Sequence, residues 1–266
     1  MTTRGDPKIW LRFTPAERIG RSMVYIIAAI AVVWSARTIE IIPEFLYDAP
    51  QQTADLFQRM WPFDIKYWPF VWKTLVETFH IATLGTILAI MMALPLAFLA
   101  ARNFTSNSML RWTAQFIFVS SRSVNSLIWA LLFVAIFGPG AVAGVLSIAV
   151  RSIGFVGKLF GEALEEAQAG PIEALTATGA SKPAILIKGY WPQTEPAFWS
   201  IALLRWDINI RESAVLGLVG AGGIGVALDA ALNNLYWDQV GLILATILAV
   251  VVITEIVTSS IRSRII

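Results

Sequence analysis

No cysteine occurs in the 266 residues, and histidine occurs once, as His80. Disulfides, thiolate metal sites, cysteine nucleophiles and a His-rich metal site are thereby excluded. Charge is scarce too: 14% of residues are charged, where a soluble domain carries about a quarter. With 57% hydrophobic residues and a mean hydropathy of +0.68, the deficit points to a chain embedded in lipid. A net charge of +2 is too small to suggest nucleic acid. The polar start MTTRGDPKIWLRFTPAERIGRS lacks a signal-peptide pattern, so the first apolar run is expected to stay as an uncleaved anchor.

Phosphate-binding loops are missing as well. Gly154-Phe155-Val156-Gly157-Lys158 falls short of G-x-x-x-x-G-K-[ST], so if ATP drives this protein another subunit binds it. Gly220-Ala221-Gly222-Gly223-Ile224-Gly225 matches G-x-G-x-x-G, but it follows a membrane helix rather than a strand. Its glycines are read instead as ending or unwinding that helix and letting helices pack closely. No internal repeat is visible, which counts against the inverted-repeat secondary transporters.

What is present is an all-α, polytopic membrane pattern of about six spans, each needing roughly 20 apolar residues. They are expected at Met23–Ile42, Leu75–Ala101 (with Pro95 as a kink), Trp112–Phe137, Ala141–Gly161, Ala197–Val219 and Gln239–Ile261. Residues 1–22 read as a cytoplasmic tail and 23–266 as the membrane domain. In the third span Ser-Ser-Arg-Ser-Val-Asn-Ser leaves one helix or two open. Arg4, Lys8, Arg12, Arg18 and Arg21 place the N-terminus in the cytoplasm. Six crossings then put Arg102, Arg111, Lys182, Lys188, Arg262 and Arg264 on the same side, with both termini inside. The stretch Pro43–Lys73 is an aromatic outer loop with a short interfacial helix at Asp55–Met60, and Gly138-Pro139-Gly140 is an outer turn. His80, three residues after Glu77, is read as a packed or interfacial side chain.

The fifth span carries Arg205, Asp207, Asn209, Arg211 and Glu212. Lone charges there would cost roughly 2.5–3.5 kcal/mol each on insertion scales, so pairing is expected. Asp207 and Arg211 share one face at i,i+4, and Arg205, Asn209 and Glu212 share a neighbouring one. Two readings stand side by side: an ion-pair network locking the bundle, or the polar lining of a translocation path. Arg122 and Asn125 in the third span, and Arg151 in the fourth, are further polar groups at membrane depth. Guanidinium groups suit phosphate or phosphonate oxygens.

Between spans four and five lies Glu173-Ala174-Leu175-Thr176-Ala177-Thr178-Gly179-Ala180, with Pro192 thirteen residues after the Gly. Gly170-Pro171 is expected to start a helix and Pro183 to end it. This loop resembles the EAA loop of ABC-importer permeases, and Arg205–Gly225 with Ser121–Ala130 is similar to the phosphonate branch of that family. Leu175 stands at the third EAA position, and Gly189-Tyr190-Trp191 replaces the family's usual residues before the Pro.

The resemblance implies a type I importer permease fold. It implies a non-catalytic subunit that carries phosphonate, or else phosphate or phosphite, across a bacterial inner membrane. It implies a homodimer with an ATP-binding cassette ATPase dimer and an extracytoplasmic phosphonate-binding protein. ATP and Mg would be held by the ATPase, with no cofactor or metal on this chain. Within loop 170–193, Glu173, Ala174, Leu175, Gly179, Ala180 and Pro192 would couple to the ATPase. Arg122, Asn125, Arg205, Asp207, Asn209, Arg211 and Glu212 are the path candidates. Pro95, Gly217, Gly220, Gly222, Gly223 and Gly225 are the bending points. A membrane enzyme or electron-transfer anchor, the distant alternative, would need a catalytic set or haem-ligating histidines.

Overall fold

The computed structural model describes Phe13, residues 15–39 and residues 43–265. Arg4, Lys8 and Arg12 of the basic tail, and residues 40–42 at the end of the first expected span, lie outside the described residues. The chain divides into two compact units, residues 1–55 and 56–266. The first holds helix α1, Pro15–Thr38, and most of α2, Pro43–Met60. α1 therefore starts inside the segment 1–22 expected to be a tail. A proline in the first turn followed by Ala16 and Glu17 is a helix start that a hydropathy window does not see. α2 replaces the expected short helix at Asp55–Met60 with 18 residues that continue through Pro50.

The second unit is a helix bundle. α3 (Trp68–Ala100) is followed by α4 (Ser108–Ser123), α5 (Ser126–Phe137) and α6 (Ala141–Glu165). Then come α7 (Ala169–Ala177), α8 (Lys182–Ile185), α9 (Trp191–Leu216), α10 (Ile224–Asn233) and α11 (Trp237–Ile265). α1, α3, α6 and α11 are each long and apolar enough to cross a membrane. The pair α4 and α5 and the pair α9 and α10 each pass as one bent span, which gives the expected six.

The open question in the third span resolves as two helices, set at 90°. Asn125 is the cause on the sequence side. Its Oδ1 accepts from Leu127 N at 3.1 Å, so it caps α5 rather than continuing α4. Pro95 sits within an unbroken α3, which also begins seven residues before the expected Leu75, with Pro69 in its first turn.

α3 and α6 form the most extensive helix pair and carry nearly half of the buried apolar residues. α3 turns a stripe of small residues inward, among them Ala82, Ala89, Ala93 and Ala97, all fully buried. On α6, Gly144 meets Ile81 and Gly161 meets Ala97 of α3, while Gly154 and Gly157 face α4. A Cβ on Gly157 would reach the Phe118 ring, so α4 lies against α6 at glycine distance. Small residues at helix contacts are the usual solution in lipid, where backbone proximity rather than hydrophobic exclusion drives packing.

α9 ends in a tight turn, Gly217–Val219, and the chain then takes left-handed backbone at Gly220 (φ 81°), Gly222 (84°) and Gly223 (77°). Only glycine accepts three such angles so close together without strain. The following helix start is capped from α3, where Thr78 Oγ1 accepts from Ile224 N at 2.7 Å. The Gly138-Pro139-Gly140 turn is present as expected, and Gly140 N donates to Gly220 O at 2.9 Å. His80 is exposed on α3, and Glu77 beside it is half-buried.

Candidate functional site

The charges of α9 sort onto two sides. On the buried side Glu212 stands between two arginines: Arg205 at 3.4 Å and Arg151 of α6 at 3.1 Å. The Arg205 side chain is only 5% exposed and that of Glu212 17%. Arg205 also sends Nε to Ser152 Oγ at 2.8 Å. From there the donors run one way. Ser152 gives its proton to Asn209 Oδ1 (3.2 Å), Asn209 Nδ2 donates to Thr86 Oγ1 (2.7 Å), and Thr86 donates to Ala82 O (2.6 Å). Aligned donors of this kind polarise one another. The Arg205 guanidinium also lies 5.4 Å from the centre of the Phe155 ring.

This network reaches the break between α4 and α5. Arg151 NH1 donates to Val124 O at 3.1 Å, the carbonyl that the break leaves without a helical partner. Ser121 holds the last turn of α4 to α6. It donates to Val150 O at 2.6 Å and accepts from Gly154 N at 3.0 Å. The broken span is therefore fastened to α6 by polar bonds at its corner and in the last turn of α4.

On the second side Asp207 pairs with Arg211 as the i,i+4 spacing predicts, and Arg211 reaches Glu255 of α11 at 3.3 Å. Asp207 is buried, and its Oδ1 has no partner among the described residues. Arg211 and Glu255 are open, with side chains 41% and 57% exposed.

Arg122 and Asn125 do not join the buried network. Asn125 is occupied as the α5 cap. Arg122 lines a separate cavity of about 340 Å³ between α3, α4 and α6, with Arg102, Gln115, Lys158, Glu162 and Glu165. Sequence reading missed Ser152, Thr86 and Glu255, because their roles depend on which helices touch. Arg151 was visible as a membrane-depth cation, but its link to Glu212 was not.

The loop between α6 and α9 is built in two layers. α7 is a nine-residue helix whose Ile172 and Leu175 are half-buried; Ile172 packs with Ile185 and Leu186 toward the cluster of Phe160, Leu164, Tyr190 and Phe198. Glu173, Ala174 and Ala177 face outward and are exposed. Leu175, at the third EAA position, is thus an anchor. Gly189 faces it at close range, since a Cβ there would lie 3.2 Å from Leu175 Cδ1.

The expected stop at Pro183 is corrected. α7 ends at Ala177, and Gly179 (φ 74°) turns the chain while Ala180 N donates back to Leu175 O at 3.2 Å. Pro183 instead starts α8, where its fixed φ suits a first turn. Pro192 does the same for α9, after a wide π turn at Leu186–Tyr190. Gln193 staples the two ends of the loop: its Oε1 accepts from Gln168 N at 2.8 Å and its Nε2 donates to Gly189 O at 2.7 Å.

Comparison with known proteins follows the same lines. Residues 85–263 match the family described as binding-protein-dependent transport system inner membrane component. A phosphate-import permease protein, PhnE, of Mycolicibacterium smegmatis is 39% identical over 87% of this chain; the aligned part is 44% of that relative's length. The phosphite transport system permease protein PtxC of Stutzerimonas stutzeri is 38% identical over 72% of this chain and 70% of its own. A putative cryptic phosphonate transport system permease protein, PhnE2, of Escherichia coli is 34% identical over 45% of this chain and 98% of its own. Among solved structures, an inward-facing MetNI methionine ABC transporter chain superposes with a TM-score of 0.66 at 21% identity. It covers 77% of this chain and all of that one, and supports the fold alone.

Proposed function

The chain belongs to the family of binding-protein-dependent transport system inner membrane components, and on that premise we propose that it is the permease subunit of an ATP-driven importer for phosphonate or a close phosphorus oxyanion. The names of the relatives support this cargo class: phosphate, phosphite and phosphonate recur among them. In this reading two copies pair in a bacterial inner membrane, with both termini and α7 on the cytoplasmic side. An ATPase dimer binds ATP and Mg, and an extracytoplasmic binding protein delivers the cargo.

The observation that carries the reading is the form of α7. Its apolar side is anchored between α6 and α9, while Glu173, Ala174 and Ala177 stand clear. A small-residue face held on a stiff mount is suited to seat in a groove of the ATPase and to pass its closure into α6 and α9. The Gly217–Gly225 turn is the bending point we assign on the other end of α9, with Pro95 a second on α3. The bundle then alternates between two states that ligand and nucleotide bias. Of the path candidates, Arg122 lines an open cavity and Arg211 stands at the rim of α9. Arg205, Asn209 and Glu212 are spent on internal bonds and fit the structural reading of the network.

The test is uptake of radiolabelled methylphosphonate into proteoliposomes holding this subunit, its cognate ATPase and its binding protein, with phosphate and phosphite as competitors. ATP-dependent uptake resistant to phosphate supports phosphonate as cargo. ATP-dependent uptake of phosphate or phosphite instead keeps the importer and changes the cargo. Uptake indifferent to ATP beside an active ATPase would refute the importer. Replacing Glu173 and Gly179 together should leave ATP hydrolysis running with uptake lost; normal uptake would remove α7 from the coupling role.

A further inference from the structure

The cavity between α3, α4 and α6 has a chemistry that the buried network does not use. Its floor is apolar and buried, formed by Ala100, Phe118 and Gly161. Its rim carries Arg102, Arg122, Lys158 and Gln115 against Glu162 and Glu165, a local excess of one positive charge. The acids are engaged: Glu162 pairs with Lys158 at 3.5 Å, and Glu165 Oε1 accepts from the backbone N–H of Arg102 at 2.7 Å. The Arg102 and Arg122 guanidinium groups, by contrast, pair with no carboxylate among the described residues. The stem of Arg122 packs against Gly154, where an added Cβ would lie 2.8 Å from Arg122 Cγ. Arg102, Arg122 and Gln115 line one cavity, and the two exposed arginines bring it donors without matching carboxylates among the described residues. At about 340 Å³ the volume is at the lower end of the range of small-ligand pockets.

We propose that this cavity is a binding site for a tetrahedral phosphorus oxyanion, held by Arg102 and Arg122. Guanidinium groups bind phosphate-type oxygens bidentately, and an unpaired arginine keeps its full donor set for that purpose. The cavity lies at the α7 end of the bundle, near the C-terminal ends of α3 and α6. In the orientation proposed above it opens to the cytoplasm. There it would hold released cargo and slow further import as internal anion accumulates. The choice of cargo rests on the importer reading; the site does not, because a phospholipid headgroup offers the same phosphate oxygens.

The test uses the assembled importer in nanodiscs without the binding protein, titrated with radiolabelled methylphosphonate and with inorganic phosphate. Wild type is compared with Arg102→Gln/Arg122→Gln and with Arg102→Lys/Arg122→Lys. The expected result is saturable binding in wild type, weakened ten-fold or more by the Gln pair and partly restored by the Lys pair. The Lys pair also guards against a folding defect, because it keeps both charges. Repeating the titration in phosphatidylglycerol nanodiscs separates the sources. Unchanged binding assigns the site to free anion. Binding lost to phosphatidylglycerol, with lipid retained by wild type and not by the Gln pair in native mass spectrometry, assigns it to a headgroup. Equal anion binding by wild type and the Gln pair, with no difference in retained lipid, overturns the site. Normal ATP-driven uptake beside that result leaves the importer standing, whereas arginine-dependent binding without ATP-driven uptake does the reverse.

Discussion

Replacing Glu212 by Gln is the sharpest probe of the buried network. The substitution keeps the shape and removes one negative charge shared by two arginines, at 3.1 Å and 3.4 Å. At an effective dielectric of about 20, each contact is worth about 5 kcal/mol of Coulomb attraction before desolvation. Desolvation of the ions opposes most of that, and breaking a buried pair from one side costs about 3–5 kcal/mol. We expect Glu212→Gln to fall in that range, because it strands Arg205 in a site 5% exposed and leaves Arg151 facing it. The contrast is Glu255→Gln on the open side, where Arg211 keeps Asp207; there about 1 kcal/mol or less is expected. The assay is equilibrium unfolding in bicelles, with a double-mutant cycle through Arg151→Gln, the α6 partner of Glu212. A loss below about 1 kcal/mol for Glu212→Gln, or a coupling energy below about 0.5 kcal/mol, would refute the claim that this carboxylate locks α6 to α9.

Two smaller predictions follow from local geometry. Asn125→Ala should cost about 1 kcal/mol through the lost cap of α5, while Asn125→Ser should restore most of it; a path role would instead show as an uptake defect with unchanged stability in both variants. Gly225→Ala should cost about 1–3 kcal/mol, because a Cβ there meets Gly217 Cα at 2.8 Å and the Ala214 carbonyl oxygen; thermal inactivation of uptake reads the loss, and a wild-type profile would show that the turn gives way freely.

Much of this architecture was legible from hydropathy and spacing. Long apolar runs found α3, α6 and α11, and the i,i+4 rule found the Asp207–Arg211 pair. Helix starts were placed late because Pro15 and Pro69 open their helices among polar or aromatic residues that dilute an apolar window. The corner in the third span was half legible. Asn125 before an apolar run is a start signal, but the 90° turn also has Arg151 donating to the freed Val124 carbonyl and Ser121 donating to Val150 O of α6. Gly179 was legible as part of the EAA-like loop, whereas its left-handed angle, which stops α7, was not. The partners of Glu212 split along the same line. Arg205 lies seven residues away on the same helix and was visible; Arg151 lies 61 residues away and needed the packing of α6 against α9.

That separation has a consequence for how the chain is made. Arg151 leaves the ribosome 61 residues ahead of the acid that neutralises it. At roughly 5–20 residues per second the interval is roughly 3–12 s. During it α6 carries an uncompensated cation into the insertion machinery, while α9 arrives with acids and bases already mixed on one helix. A nascent chain halted before α9 should therefore hold α6 beside the translocon, and release it into lipid only once Glu212 has emerged.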